Sequence, residues 1–418
     1  MNSAPVPSSL PPCRSCGAAL THTFVDLGPQ PLCQKHVEPH EISLPERFYP
    51  LHAFVCDNCF LVQLAHEVPP DEIFNDQYAY FSSFSDSWLA HAKAYVDMAT
   101  TRFDLGAASK VVELASNDGY LLRWFVDKHI PVLGVEPSGN TARAAIGRGV
   151  PTVVRFFGTN TASELCAEGH SADLIVGNNV LAHVPDLNDF IAGMKLLLKP
   201  GGTITMEFPH LLRLMQDNQF DTIYHEHWSY FSLVSVQSAF ARHGLIVHDV
   251  DELPTHGGSL RIYAAHAGLA NLVASNRVRE LLDREISAGL KDLKTYAGFS
   301  ERVMETKRKL LSFLIEAKRA GKHIVGYGAP GKGNTLLNYC GIRTDFIDYT
   351  VDRSPHKQGR FLPGTRIPIH GPERIAETKP DYVLILPWNL KDEISQQMAH
   401  VRSWGGKFVV PIPQVTVL

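Results

Sequence analysis

Two CxxC pairs constrain this chain more than any other feature. Cys13-Arg-Ser-Cys16 and Cys56-Asp-Asn-Cys59 are separated by 39 residues, counted between Cys16 and Cys56. Each pair closes a knuckle that turns two thiolates to one point, and two knuckles complete a tetrahedral four-sulfur site of the kind that holds Zn2+. Four thiolates leave no open coordination position, so the metal expected here is structural. It takes the place of the core that a module of residues 1–70 struggles to bury alone, and that module is expected to fold apart from the core behind it. A redox pair would open a helix after a strand; the doubled knuckle favours zinc over redox chemistry or coincidence. Cys33, Cys166 and Cys340 lack such partners and read as ordinary buried or half-buried thiols. Seven cysteines in 418 residues form no disulfide framework, which points to a reduced, cytoplasmic setting.

At 418 residues the chain exceeds one ordinary core. The balance of 39 basic against 43 acidic residues gives no electrostatic ground for binding nucleic acid or an anionic membrane. No apolar run approaches the roughly 20 residues that span a bilayer. The opening MNSAPVPSSLPP lacks the basic flank and apolar centre of a secretory signal and reads as a short flexible lead-in.

The second region, residues 71–270, opens with the helical stretch SDSWLAHAKAYVDMATTRF. In KVVELASNDGYLLRWFVDKH, Val111–Leu114 is a short apolar run, the next five residues turn, and Tyr120–Lys128 has helical spacing. This is the strand–turn–helix opening of a nucleotide-binding α/β unit. A second strand, VLGVEPS, carries Glu136, 17 residues beyond Gly119, where an acid accepts hydrogen bonds from a ribose diol. PTVVRFF, ADLIVGNNVLAHVPDL and GGTITMEFP supply further strands. Strands alternating with helices predict a parallel sheet with ligands at its carboxyl edge. The turn has one glycine, Gly119, where a dinucleotide site has three. Pyrophosphate needs those glycines for close backbone approach; a ligand without phosphates does not. S-adenosylmethionine (SAM) offers an adenosine to Glu136 and an amino-acid tail to Ser116, Asn117 and Asp118. NAD and a ligand-free sheet are the alternatives.

The third region, residues 271–418, begins with a helical pattern in which Val303, Leu310, Leu314 and Ala317 share a face. KHIVGYGAPGKGNTLLNY then repeats the strand–turn–helix grammar, with glycines at 326, 328, 331 and 333 and a lysine at 332. Backbone N–H groups of such a turn, at a helix N-terminus, suit a diphosphate. FIDYTVDRS and DYVLILPW read as later strands; His356, Lys357 and Arg360 add cations or form only a solvated loop.

The stretch FDTIYHEHWSYFS sets Tyr224, His225, Glu226, His227 and Trp228 side by side. It suits a metal site, proton transfer or a polar loop. In an extended segment His225 and His227 would share one face, but a third metal ligand is missing.

Taken together, CRSC, CDNC, ELASNDGYLL, GVEPSGN, NNVLAHV, YHEHWSYFS, HGGSLR and GYGAPGKGNTLLNY give a chain that resembles the NDP-deoxysugar C-methyltransferases, which methylate carbon 3 of a 4-keto-deoxysugar. The likeness runs from Cys13 to the last strand. It implies a class I methyltransferase Rossmann-like α/β domain between a zinc module and a second Rossmann-like domain. In that reading SAM meets Glu113, Ser116, Asn117, Asp118, Gly119, Glu136, Pro137, Asn178 and Asn179. A small-molecule nucleotide sugar, dTDP- or GDP-linked, meets Gly331, Lys332, Asn334, His256, Ser259 and Arg261. Carbon–carbon bond formation needs a carbanion equivalent: the ketone acidifies the hydrogen on carbon 3, a base removes it, and donors hold the enolate oxygen. The resemblance makes His227 the base, with Tyr224 close by and Glu226 fixing its tautomer or competing for its role. It makes His183 and Tyr78 donors to the keto oxygen or proton relays. An O- or N-methyltransferase and a non-catalytic nucleotide-sugar-binding protein are the alternatives. The expected assembly is a monomer or small homo-oligomer.

Overall fold

The computed structural model describes residues 11–65, 68–76, 78, 80–269 and 272–418. Residues 1–10 of the lead-in and the 270/271 boundary lie outside the described residues. The N-terminal segment forms β1 (His22–Gln30), β2 (Tyr49–Val55) and β3 (Val62–Leu64). The middle supplies β4 (Val111–Leu114), β5 (Val132–Val135), β6 (Thr152–Val153), β7 (Ala172–Asn178) and β8 (Leu198–Pro209). A two-residue strand, β9 (Ser229–Tyr230), precedes the pair β10 (Leu245–Leu253) and β11 (Ser259–His266). The last third gives β12 (Ile324–Tyr327), β13 (Thr350–Val351), β14 (Ile369–His370), β15 (Tyr382–Ile385), β16 (Lys407–Val410) and β17 (Thr416–Val417).

These strands form three sheets. The central sheet has the order β10-β11-β8-β7-β4-β5-β6, that of a class I methyltransferase. β4 to β8 pair in parallel, as the alternation predicts, and the short apolar run of β4 is buried at all four positions. The antiparallel pair β10–β11 departs from that expectation. It closes through the turn at Thr255–Gly257, where His256, Gly257 and Gly258 have φ of 55°, 89° and 113°. β4 lies between β5 and β7, so the crevice of the sheet opens where the chain reverses direction, the usual ligand position in such folds. The C-terminal sheet, β14-β13-β12-β15-β16-β17, repeats the design, with only β17 antiparallel. The helical pattern before it breaks into Asn276–Ser287, Leu293–Ala297 and Phe299–Arg319, and the last buries Val303, Leu310, Leu314 and Ala317.

The zinc-module sheet, β1-β2-β3-β9, takes its fourth strand from the middle of the chain. Val62 pairs with Tyr230 and Gln63 with Ser229, directly after the histidine-rich stretch. The expectation of a separate core for this module is therefore corrected. Cys13, Leu20, Cys56, Cys59 and Leu61 belong to the apolar cluster under the central sheet. Phe24, Val25, Leu51 and Ala53 belong to a second cluster, with Val303, Leu310 and Leu336 of the C-terminal region. A sheet this small has too little apolar surface for its own core and shares those of its neighbours.

Candidate active site

The four cysteines lie where the spacing predicts. Their sulfurs are all within 4.8 Å of one another, with Cys13–Cys59 at 3.6 Å and Cys16–Cys56 at 3.5 Å. Tetrahedral Zn–S bonds of about 2.3 Å place sulfurs about 3.8 Å apart, so the set fits Zn2+ with little adjustment. The knuckles match: Gly17 N donates to Cys13 O and Phe60 N to Cys56 O, and both Gly17 and Phe60 have positive φ. Gln63 Nε2 donates to Cys13 Sγ at 3.1 Å, an outer contact that steadies a thiolate.

A cleft of about 640 Å³ runs from the carboxyl ends of β4 and β5, past the histidine-rich stretch, to the Gly-rich turn after β12. At its first end Glu136 accepts the backbone N–H groups of Asn117 and Ser138, each at 2.9 Å. This ties the turn after β4 to the turn after β5. Burial raises the Glu136 carboxyl pKa, and those two N–H groups oppose the rise. Asn117, Glu136, Pro137, Asn178 and Asn179 line the cleft. Asn179 Oδ1 is buried with no hydrogen-bond partner among the described residues, and the Asn178 side chain lies beside the Tyr120 hydroxyl. Buried polar atoms left open toward a cleft are what a polar ligand satisfies, so these residues fit SAM. The other four residues named for SAM are not among those lining the cleft. Glu113 is fully buried within β4, and burial holds its carboxyl well above the usual range. Ser116 points into the sheet, where its Oγ would lie 2.4 Å from a Cβ on Gly134. Asp118 is paired with Arg148 at 2.8 Å and takes the Ser83 hydroxyl. Gly119, at φ 75°, backs onto Ala145 and Val150.

The histidine-rich stretch is a turn rather than a strand: His227 N donates to Tyr224 O at 2.9 Å. The two histidines therefore part. His225 faces the zinc-module sheet, with Nε2 3.2 Å from Tyr49 O. His227 enters the cleft with Tyr224, Glu226, His183 and Tyr78. His227 Nδ1 lies 2.9 Å from Thr222 O, and a carbonyl only accepts, so Nδ1 carries the proton and Nε2 keeps its lone pair. The tautomer is thus set by the Thr222 carbonyl. The His227 ring lies 4.1 Å from that of Tyr224 and 4.6 Å from that of His183. Burial, then the neighbouring His183, depresses the His227 pKa well below the usual value. Burial likewise lowers His183 to about 4. Glu226 is pushed the other way, to about 7, by burial against the hydrogen bonds of Cys33 and Tyr78. A neutral imidazole beside a carboxyl poised near neutrality can move a proton at physiological pH.

At the far end Gly331 and Lys332 line the cleft, as does His256, whose ring meets Trp88 edge-on. Lys332 Nζ lies 2.9 Å from Asn389 Oδ1 and over the Trp388 ring, and burial lowers its pKa. Trp388 Nε1 donates to Asp221, whose carboxyl burial raises to about 7. Asn334 is buried within its helix. Ser259 Oγ donates to Thr255 O, closing the β10–β11 turn. Arg261 is held by Glu207 at 2.5 Å and lies over the Tyr95 ring. Burial alone would raise Glu207, but His91 and Arg261 hold it at about 2. Ser259 and Arg261 thus brace the turn behind the cleft. The sequence reading missed Cys33, Gln34 and Trp388. Cys33 is a lone thiol with no motif around it, and the other two carried no spacing signal.

Comparisons with known proteins place the chain in a family. Family models match a domain described as zinc binding over residues 13–74, a methyltransferase domain over 88–250 and a C-methyltransferase C-terminal domain over 254–413. The C-methyltransferase NovU of Streptomyces niveus is 38% identical over 409 residues, covering 97% of this chain and 96% of that protein. Among solved structures, the CcbJ methyltransferase of Streptomyces caelestis aligns at 13% identity over 46% of this chain and 99% of its own, with a TM-score of 0.35. The SAM-bound magnesium protoporphyrin IX methyltransferase of Synechocystis PCC 6803 aligns at 12% over 43% of this chain and 79% of its own, with a TM-score of 0.33. Likenesses this low add nothing to what the strand order already shows. The full-length identity and the three consecutive domain matches suffice: the chain belongs to the SAM-dependent C-methyltransferases that carry a zinc-binding N-terminal module.

Proposed function

We propose that the chain methylates carbon 3 of an NDP-4-keto-deoxysugar through an enolate. The observation that carries this reading is the His227 Nδ1 contact to the Thr222 carbonyl, which leaves Nε2 as a proton acceptor within the cleft. Asn117, Glu136, Pro137, Asn178 and Asn179 hold SAM at one end, while Glu113, Ser116, Asp118 and Gly119 shape the turn beneath it. Gly331 and Lys332 take the diphosphate at the other end, with His256 toward the sugar. Bound there, SAM supplies an electrophilic methyl group. His227 Nε2 takes the proton from carbon 3, and the C–H electron pair becomes the enolate. His183 holds the enolate oxygen, Tyr78 joins it when its O–H turns from Glu226 Oε2 to the substrate, and Tyr224 packs His227 in line. The electron pair of carbon 3 would then take up that methyl group, with the C–S pair staying on sulfur as a neutral thioether. The units that meet at the cleft divide near residues 70 and 270.

A second reading gives the base role to Glu226, and its favouring observation is the carboxyl pKa near 7. Solvent deuterium entry at carbon 3, followed by NMR without a methyl donor, tests both. Wild type should exchange and His227→Asn should not. Exchange kept in His227→Asn and lost in Glu226→Gln would move the base to Glu226. No exchange in either enzyme would remove the enolate.

A further inference from the structure

Cys33 belongs to the zinc module, 193 residues from Glu226 in sequence, yet the two meet in the interior. Its thiol donates to Glu226 Oε1 at 3.5 Å, while Tyr78 OH donates to Oε2 at 3.4 Å. Cys33 is only 3% exposed. Its sulfur also abuts the Gly-rich turn, since a Cβ added at Gly331 would fall 2.9 Å from Sγ. One thiol thus touches both the acidic residue of the histidine-rich turn and the turn that begins the nucleotide-side helix. The next residue, Gln34, lines the cleft.

We propose that Cys33 is a positioning residue of this methyltransferase: it anchors Glu226 in the cleft and sets how readily that carboxyl ionises. The proposal rests on the second reading above only in giving Glu226 a part in proton transfer. The groups around Glu226 are few. Among the described residues, Cys33 comes from the zinc module, Tyr78 from the segment before the first long helix, and Lys357 from the C-terminal region, with Tyr224 and His183 nearby. Lys357 is engaged with Asp352 and Ala329 O, so among the described residues Cys33 and Tyr78 are the hydrogen-bond donors on the carboxylate. A donor aimed at a carboxylate favours its ionised form, so removing the thiol raises the pH at which Glu226 ionises. Because S–H is a weak donor, the rise should be about half a unit to one unit.

The test needs no substrate. Infrared difference spectra of the intact zinc-loaded protein follow the C=O band of the protonated Glu226 carboxyl across the neutral pH range, with Glu226→Gln as the blank. Cys33→Ala should move the midpoint upward, and Cys33→Ser, which restores a stronger donor, should return it to the wild-type value or below. An unchanged midpoint in Cys33→Ala, or an equal rise in both variants, would overturn the proposal. The pH dependence of turnover in the same variants separates the two layers. If the midpoint moves and the turnover limb does not, the Cys33 contact stands and Glu226 leaves the proton transfer.

Discussion

Replacing Glu136 with alanine removes the group that joins the turns after β4 and β5. Two costs follow from its contacts. The N–H groups of Asn117 and Ser138 lose their acceptor, and each buried donor left unpaired costs about 1–3 kcal/mol. Without ligand, the variant should therefore lose on the order of 2–6 kcal/mol of stability unless water enters the gap. With ligand, the proposed ribose contact loses one or two charge-assisted hydrogen bonds of about 1.5–3 kcal/mol each, which should weaken binding by roughly 10-fold for one weak bond to about 10⁴-fold for two strong ones. Calorimetry with S-adenosylhomocysteine, alongside thermal unfolding, reads both effects. Glu136→Gln keeps one acceptor oxygen and should fall between alanine and wild type in each assay. Lys332→Ala is the control: it should weaken the sugar nucleotide and leave S-adenosylhomocysteine affinity alone. Glu136→Ala binding within twofold of wild type, or Lys332→Ala losing the same ligand, would refute the assignment of the two turns to different ligands.

Metal analysis should find about one zinc per chain, and Cys56→Ser should lose it. Because the module shares its sheet with β9 and both neighbouring cores, that loss should lower methyl transfer as well as stability; full activity without zinc would contradict this. His227→Asn should slow turnover by about 10²–10⁴-fold while leaving S-adenosylhomocysteine affinity within a small factor. Glu226→Gln tests the raised carboxyl through stability. Between the ordinary value of 4.5 and the folded value of about 7, the native state holds the extra proton, so stability falls as pH rises through that window. The glutamine variant should therefore gain on the order of 3 kcal/mol over wild type at about pH 8 and little in acid, by denaturant titration. An equal gain at both pH values would mean a packing effect.

What was legible in the sequence was local. The cysteine knuckles, the apolar run of β4, the single face of Val303, Leu310, Leu314 and Ala317, and the turn after β12 each follow from spacing over a few residues. What escaped was set by distant partners. Arg261 looks like a ligand-binding cation until Glu207 and Tyr95 are placed beside it. His225 and His227 alternate as if extended, but the Tyr224–His227 turn sends them to opposite sides. Cys33 gains meaning only from Glu226, and the zinc module's sheet is completed by two residues far along the chain.

The central claim is that the methyl group goes to carbon 3. Incubation of the enzyme with SAM carrying a ¹³C-labelled methyl group and a panel of dTDP- and GDP-4-keto-deoxysugars, followed by product NMR, tests it most directly. The account predicts a labelled methyl group bonded to carbon 3, with the proton of that carbon gone from at least one substrate. Label on an oxygen or nitrogen, or on any carbon other than carbon 3, would contradict it.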